Sequence, residues 1–532
     1  MNEHPYRDRR DRGRPGGVGN TRPLDVRVSG GYVRGVREGG TIAWRGIPYA
    51  APPIGRLRFR APQRVVPWEG VRDAAVFGRV ATQAHKGQFA GVPPEIPSGE
   101  DCLNINVVAP DVRVEAPLLP VMVFIHGGGY STGSSRDFSG QGRNFVGTGR
   151  VVYVSFNYRL GALGYLDFSR YSTLRRPIDS NLGLRDQIAA LRWVRRNIRA
   201  FGGDPDRITV FGESAGANAV TTLMATPSAR GLFSRAIAQS APPDAVYTRA
   251  MAAVWAEQFV DILRGHTPGH QATRPLSIDQ TVALLTAAPA SELVDAALVL
   301  QARTPEETPG VFCLAPVIDG RLLPRHPMAA FRGGFAHRVP LIIGTNDREG
   351  SIFRGRLDIL PRSEARIEAV LARGDVDGRG TFAEVYPRLP RGADAADFGG
   401  DYAFWYPSVA LAERHSRYAP VYFYRFDVAP RLLRWAGLDA THGVEMFALF
   451  EQADAPLTRT MTSLGGRRVF SQAGERMRDA WLHFAAVGAP PVGWPHYAEP
   501  DRLTLIIADR DRVESDPRGD RRRAWSALLP LG

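Results

Sequence analysis

Short apolar stretches alternate with segments of helical periodicity along most of this chain. The stretches are rich in β-branched and aromatic residues, whereas the helical segments repeat apolar residues every three or four positions. The pattern predicts strands at 24–36, 40–44, 104–108, 117–126, 151–157, 208–211, 237–239, 340–344, 421–426 and, as the last strand, 503–507. It predicts helices at 184–201, 215–224, 249–308, 363–391, 408–418 and 472–487. This alternation indicates an α/β fold with a large, mostly parallel central sheet covered by helices on both faces.

The pattern contains no internal repeat and no linker after residue 24, which predicts a single large domain over residues 24–532. Of the 532 residues, 44% are hydrophobic, so the chain can bury a large core. The helical segments at about 249–308 and 363–391 are interpreted as insertions into this domain. Residues 1–23 are charged and rich in glycine and proline, which predicts a disordered basic leader.

The formal net charge is +13, yet Lys86 is the only lysine among 67 basic residues. This one-sided use of arginine indicates compositional drift, and no basic helix with interleaved aromatic residues is present, so nucleic-acid binding is not expected. The sequence shows no secretory signal and no apolar stretch long enough to span a membrane, which favours a cytoplasmic protein.

Cys102 and Cys313 are the only cysteines, so a disulfide scaffold is excluded. They do not form a Cys/His ligand pattern, which argues against a structural zinc site. Both are interpreted as buried, reduced thiols.

The first chemical motif is Gly212-Glu213-Ser214-Ala215-Gly216, between a predicted strand and a predicted helix. A serine in this setting is typical of a nucleophile elbow, in which the hydroxyl stands clear of the sheet. The helix N-terminus would lie beneath it, and the amide of Ala215 would point at a developing oxyanion. The motif alone is weak, and its context makes Ser214 a candidate nucleophile.

A second motif, His126-Gly127-Gly128-Gly129-Tyr130, follows the predicted strand 117–126. Three glycines allow backbone amides to turn toward a ligand without a Cβ in the way. In sheets of this type, the corresponding loop supplies further oxyanion donors.

A serine nucleophile also needs an acid and a base, in the chain order Ser, Asp or Glu, His. The loop after strand 340–344 contains both Asp347 and Glu349, and either fits the position of the acid. His442 lies in a loop next to a glycine, which favours it as the base. The later histidines His415, His483 and His496 are interpreted as structural.

Together these segments resemble the type-B carboxylesterase/lipase family, which includes bacterial para-nitrobenzyl esterases, animal carboxylesterases and cholinesterases. The resemblance covers roughly residues 24–527, and implies an α/β-hydrolase fold. It is carried by segments 46–59, 100–103, 157–161, 183–216, 239–240, 316–320, 346–353 and 442–450.

The resemblance implies a role for each matching position. Ser214 would be the nucleophile, Glu349 rather than Asp347 the acid, and His442 the base. The implied oxyanion donors are Gly128, Gly129 and Ala215. The implied groups around the acid and base are Ser240 and Glu445. Implied structural ion pairs join Arg58 to Glu100 and Arg159 to Asp186.

The substrate pocket is assigned to Tyr247, Ile352, Phe353 and Glu213, with Tyr247 at the acyl side by register. Ile352 stands where an aromatic residue would complete a cation–π cage, which argues against a choline esterase.

The implied function is that of a serine carboxylesterase acting on small-molecule esters through an acyl-enzyme, without cofactor or metal. An amidase or carbamate hydrolase on the same triad is an alternative. A non-catalytic esterase-like binding protein is a further alternative, and the presence of all three triad residues argues against it.

Overall fold

A computed structural model of the chain describes residues 22–85, 92–111, 117–266, 275–374, 378–452 and 454–530. Residues 1–21 of the predicted leader lie outside the described residues. The assignment of residues 24–532 to a single domain stays a prediction.

The strands and helices of the described residues are numbered here in chain order. The strands are β1 (Asp25–Val28), β2 (Gly31–Arg34), β3 (Val36–Glu38), β4 (Thr41–Pro48), β5 (Val71–Asp73), β6 (Val80–Ala81), β7 (Ser98–Gly99), β8 (Asn104–Pro110), β9 (Leu119–Ile125), β10 (Val152–Phe156), β11 (Gly203–Glu213), β12 (Arg235–Gln239), β13 (Tyr247–Thr248), β14 (Val317–Ile318), β15 (Leu341–Asn346), β16 (Val421–Phe426), β17 (Leu503–Ile507) and β18 (Arg512–Ser515). The α-helices are α1 (Phe138–Gln141), α2 (Arg143–Val146), α3 (Gly161–Tyr165), α4 (Leu182–Asn197), α5 (Ala215–Met224), α6 (Arg249–His266), α7 (Ile278–Ala287), α8 (Ala290–Glu307), α9 (Pro327–Arg332), α10 (Glu364–Leu371), α11 (Gly378–Val385), α12 (Gly392–Gly400), α13 (Tyr406–His415), α14 (Arg431–Trp435), α15 (Val444–Leu449), α16 (Pro456–Met461), α17 (Arg467–Val487) and α18 (Gly519–Leu528).

The central sheet has the order β18-β17-β16-β15-β12-β11-β9-β10-β8-β4-β3. Strands β17 to β10 of this order run parallel, and the pairs at both edges are antiparallel. The predicted α/β fold with a mostly parallel sheet is therefore confirmed. Strand β11 is the sixth of the eleven strands. Its carboxyl end therefore lies near the centre of the side of the sheet where the parallel strands end.

Two predictions about strands were wrong in detail. The segment 24–36 is not one strand, because it turns back at Ser29 and Gly30 to form the antiparallel hairpin of β1 and β2. The segment 503–507 is not the last strand, because β18 pairs with it. The sequence of β18, Arg-Val-Glu-Ser, has no apolar pattern because this strand lies exposed at the sheet edge.

Side chains of the central strands alternate between two buried layers. Along β9, Val121, Val123 and Ile125 pack into the layer that contains α4 and α5. Met122 and Phe124 pack into the layer that contains α15 and α17. Both faces of the sheet are thus covered by helices, and the long apolar run of this strand follows from its burial on two sides.

The two ion pairs implied by the family resemblance are present. Arg58 lies 2.5 Å from Glu100, and Arg58 also donates to the carbonyl oxygens of Thr286 and Ala288 at the end of α7. This arginine therefore joins the N-terminal loop to the inserted helices.

The second pair is fully buried. Arg159 and Asp186 meet at 2.7 Å, with 4% and 0% of their side chains exposed. Asp186 lies on α4, the helix that leads into β11, so the pair fixes this helix relative to the loop after β10. A buried pair of this kind is costly to break because the remaining charge has no partner.

Candidate active site

Ser214 occupies the turn between the end of β11 and the start of α5. Its φ of 57° and ψ of −123° lie in a region that residues other than glycine rarely adopt. Two hydrogen bonds hold the turn: the N–H of Ser214 donates to Gln239 O, and its carbonyl oxygen accepts from Asn218 N, each at 2.9 Å. The strained turn keeps the side chain at the carboxyl edge of the central strand.

The glycines on either side of Ser214 are required by close backbone contacts. A Cβ on Gly212 would lie 2.6 Å from the carbonyl oxygen of Ile125 and 2.7 Å from the carbonyl carbon of Gly216. A Cβ on Gly216 would lie 2.1 Å from the same oxygen of Ile125. The Gly-x-Ser-x-Gly spacing is therefore explained by packing: β11, α5 and β9 approach one another too closely for a side chain at position 212 or 216.

Ser214, His442 and Glu349 form one continuous chain of hydrogen bonds. Nε2 of His442 lies 2.9 Å from Oγ of Ser214, and Nδ1 lies 2.6 Å from Oε2 of Glu349. The His442 and Glu349 side chains are 10% and 2% exposed. Glu349 opens a 3₁₀ turn directly after β15, and His442 precedes α15. Three residues far apart in sequence thus meet at one sheet edge.

The second carboxylate oxygen of Glu349 is also held. Oε1 accepts from the Ser240 hydroxyl and from the Asn346 backbone N–H, both at 2.6 Å. The Asn346 side-chain amide donates to Oε2 of Glu445 at 2.6 Å. Ser240 therefore contacts the Glu349 carboxylate directly, whereas Glu445 is connected to it through Asn346. Sequence reasoning gave no role to Asn346, although it lies in the segment 346–353 that carried the resemblance.

Three carboxylates act on His442: Glu349 and Glu445 are buried, and Glu213 is half-buried. Burial lowers the pKa of His442, but Glu349 and Glu213 outweigh this effect and raise the pKa to about 9. Oε1 of Glu213 lies 3.3 Å from Nε2 of His442. Burial raises the pKa values of Glu213 and Glu445 above the usual glutamate range, and neighbouring carboxylates add to this shift. In their ionised form these carboxylates favour the imidazolium form of His442.

Two aromatic rings pack against the imidazole. The ring centroids of Phe404 and Phe353 lie 4.4 and 5.2 Å from that of His442. Phe404 belongs to a single π-helical turn, Asp401–Trp405, between α12 and α13. Sequence reasoning missed Phe404, which lies between the predicted helices 363–391 and 408–418, because a single apolar residue carries no signal that it will face the site.

The glycine loop after β9 runs beside the Ser214 turn. A Cβ on Gly127 would lie 2.7 Å from the carbonyl oxygen of Glu213 and 3.3 Å from Cβ of Ser214. Gly128 and Gly129 have φ values of 103° and 59°. The loop can approach the Ser214 turn this closely only because it lacks side chains.

A cavity of about 60 Å³ opens at Ser214. Gly129, Ser214 and Ala215 form one end of it. A mostly apolar part of its wall comes from the segment after α8, which includes Val311, Phe312 and Leu314. Gln301, Thr304 and Pro305 of α8 contribute the adjoining surface. The helices inserted after β12 therefore enclose the space next to the hydroxyl.

The four predicted pocket residues take different positions. Phe353 lines the cavity at Ser214, whereas Ile352 packs in a small apolar cluster beside it. Glu213 contacts His442 and is not among the lining residues. Tyr247 lines a neighbouring cavity of about 160 Å³, which shares Phe312 with the cavity at Ser214. Tyr247, which was assigned to the acyl pocket by register, therefore lines the neighbouring cavity and not the cavity at Ser214.

The competing candidates for acid and base lie elsewhere. Asp347 faces Arg518, with Oδ1 at 2.5 Å from the guanidinium. His415 and His483 are hydrogen bonded to backbone carbonyl oxygens, and His496 lies 2.9 Å from a tyrosine hydroxyl. Asp347 and Glu349 were equivalent in the sequence pattern, and only Glu349 turns toward the imidazole.

Both cysteines are buried thiols without a disulfide. Burial raises the pKa of Cys313 to about 12 and that of Cys102 still further, so neither is a thiolate near neutral pH. Cys313 also lines the cavity at Ser214, a position that the sequence did not indicate.

Across the described ranges, no group of three or more His, Cys, Asp or Glu side chains is arranged to hold a metal ion. In the same ranges, no single helix has the length and apolar character needed to cross a membrane. Only the pair α7 and α8, bent by 111° at their junction, meets that test together.

Comparison with known proteins agrees with this geometry. The family model of the carboxylesterase family matches residues 22–373. The chain is 36% identical over 500 residues to a para-nitrobenzyl esterase of Bacillus subtilis (strain 168), covering 93% of this chain and 96% of that protein. It is 31% identical over 509 residues to a phenmedipham hydrolase of Pseudarthrobacter oxydans, with 92% and 96% covered.

The solved structures that resemble the chain include a para-nitrobenzyl esterase with a TM-score of 0.83 at 36% identity, covering 94% of this chain and 99% of that one. The likeness thus extends over the whole sheet, and the predicted α/β-hydrolase fold is confirmed. The chain therefore belongs to the carboxylesterase family and is a carboxylic ester hydrolase.

Proposed function

We propose that the chain is a serine carboxylesterase that works through an acyl-enzyme, with Ser214 as nucleophile, His442 as base and Glu349 as acid. The observation that carries the proposal is the unbroken chain of hydrogen bonds from Ser214 Oγ to Glu349 at 2.9 and 2.6 Å. Both distances are within the range needed for proton transfer and for orienting the imidazole.

In the first step, Nε2 of His442 takes the hydroxyl proton while Oγ of Ser214 attacks the ester carbonyl carbon. The carbonyl π electrons move onto oxygen, and the N–H groups of Gly128, Gly129 and Ala215 stabilise the resulting oxyanion. Loss of one such donor typically costs about 10²–10³ in rate. When the oxyanion collapses, the C–O bond to the alcohol breaks, and the imidazolium gives its proton to the leaving oxygen.

In the second step, His442 removes a proton from water, and the hydroxide attacks the acyl carbonyl. Collapse of the second oxyanion releases the carboxylic acid and returns the proton to Ser214. Glu349 keeps Nδ1 protonated throughout, so that Nε2 is the basic nitrogen. Ser240 and Asn346 hold Glu349 in place for this task.

The substrate is expected to be a small-molecule ester. The cavity beside Ser214 suits a short, uncharged acyl group, because its volume is about 60 Å³ and none of the described residues that line it is charged. The proposed reaction needs no cofactor.

Ser214→Ala tests the proposal. We expect it to lose hydrolysis of p-nitrophenyl acetate and covalent labelling by a fluorophosphonate, while circular dichroism stays that of the wild type. Ser463→Ala, at an exposed position, is the matched control and should keep both activities. Wild-type hydrolysis by the Ser214 variant would refute the assignment of the nucleophile.

A further inference from the structure

A second cavity, of about 750 Å³, lies away from the active site. The loop 61–67, one face of α4 and Ser228 just after α5 line it, and it shares no lining residue with the cavity at Ser214. Its volume is within the range of about 300–1,000 Å³ that is typical of small-molecule sites.

Four arginines line this cavity, and none of the described lining residues is an aspartate or glutamate. Arg185, Arg192 and Arg196 come from α4, at spacings of about two and three helical turns, so they project from one face of the helix. Arg64 comes from the loop opposite. The cavity is therefore surrounded by guanidinium groups from two separate segments.

Among the described residues, three of these four arginines form no ion pair, and the fourth, Arg185, forms a long one. Arg185 donates to Ser180 O at 2.7 Å, and its nearest carboxylate oxygen, on Asp319, is 3.8 Å away. The guanidinium of Arg192 donates to Ser228 O at 3.3 Å. Within the described part of the chain, Arg64 and Arg196 form no hydrogen bond or ion pair. Guanidinium groups placed together in this way favour an anion between them.

The floor of the cavity is apolar. Ile188 and Trp193 of α4 and Val65 of the loop line it together with the arginines. Trp193 is 4% exposed, and its indole N–H has no hydrogen-bond partner among the residues described. A ligand with an apolar or aromatic body could pack here while its charged groups meet the guanidinium groups.

We propose that this cavity binds a small molecule that carries two or more negative charges on one side of an apolar or aromatic body. Arginine suits this task because its planar fork of N–H groups matches phosphate and carboxylate oxygens. The site is independent of the proposed esterase mechanism.

Binding of a fluorescent N-methylanthraniloyl ATP to the full chain tests the proposal. We expect saturable binding that weakens with added salt, and competition by unlabelled ATP. Inorganic tripolyphosphate, which has the charge alone, and adenosine, which has the ring alone, should each compete more weakly than ATP.

The decisive variant is Arg192→Glu combined with Arg196→Glu, which should weaken binding at least about tenfold. The matched control is Arg434→Glu combined with Arg468→Glu, which changes the net charge equally. Those arginines lie on α14 and α17, which pack on the opposite face of the sheet. Hydrolysis of p-nitrophenyl acetate should stay at the wild-type rate in both variants. This rate shows whether each variant is folded.

The proposal is overturned if the wild type shows no saturable binding, or if both double variants bind equally well. The milder Arg196→Gln, with an expected loss of a few-fold in affinity, replaces the double variant if that one does not fold. An unchanged affinity in Arg196→Gln would count against the site in the same way.

Discussion

Replacing Glu213 by glutamine tests how the carboxylates around His442 set its basicity. Oε1 of Glu213 lies 3.3 Å from Nε2, the nitrogen that faces Ser214, and only 14% of the Glu213 side chain is exposed. Glutamine keeps the size and shape of the side chain and removes its charge. The variant therefore changes the electrostatics of the imidazole with little change in packing.

The magnitude follows from the distance. Two unit charges 3.3 Å apart attract by about 5 kcal/mol at an effective dielectric constant of about 20. One pKa unit corresponds to about 1.4 kcal/mol, so even a quarter of this attraction is enough to shift the pKa of His442 by about one unit. The carboxylate stabilises the imidazolium, and its removal therefore lowers the pKa of His442. The unprotonated base then forms at lower pH.

The assay is the pH dependence of kcat/KM for p-nitrophenyl acetate, corrected for spontaneous hydrolysis. The rising limb reports the essential base of the free enzyme. In the wild type we expect it above the ordinary imidazole range and toward 9. In Glu213→Gln it should move about one unit lower. Glu475→Gln, at an exposed position, is the control and should leave the limb unchanged. An unmoved limb in Glu213→Gln, or a limb at higher pH, would refute the reasoning.

Two further predictions concern the nucleophile turn and the cavity wall. Gly216→Ala places a Cβ 2.1 Å from the carbonyl oxygen of Ile125; it should lower the free energy of unfolding by about 3 kcal/mol or more, seen as a lower urea midpoint. Gly265→Ala, where nothing lies within 4 Å of the added Cβ, is the control. Equal urea midpoints for the two variants would contradict the packing argument. Phe312→Ala removes a side chain shared by the two neighbouring cavities. It should raise kcat/KM for p-nitrophenyl octanoate relative to acetate about tenfold, and an unchanged ratio would show that Phe312 does not limit acyl length.

The nucleophile turn could be predicted from the sequence because its cause is local. The glycines at 212 and 216 are required by backbone contacts around one turn, and the apolar strand and the helix are continuous with it. Five consecutive residues, 212–216, are thus enough to predict the turn that positions Ser214. The resemblance to a known family then distinguished Glu349 from Asp347, which the local pattern had left equivalent.

Features that depend on tertiary packing were not predictable in the same way. Phe404 reaches His442 from a π-helical turn, and the surrounding sequence resembles any buried helix. Tyr247 matched the family by register, but the segment at 311–314 lies between it and Ser214, and its hydroxyl accepts a hydrogen bond from Phe312 N at 2.9 Å. The edge strand β18 escaped notice because exposed strands need no apolar alternation.

The cavity wall and the reacting groups come from different segments of the chain. The hydroxyl, the imidazole and the carboxylate lie at the carboxyl ends of the central strands, whereas α8 and residues 311–314 supply a large part of the cavity lining beside them. Natural variation can therefore reshape the wall while the chemistry stays intact. We expect related enzymes to diverge in substrate choice mainly through this inserted segment, which makes it the natural region to randomise when a new ester is to be accepted.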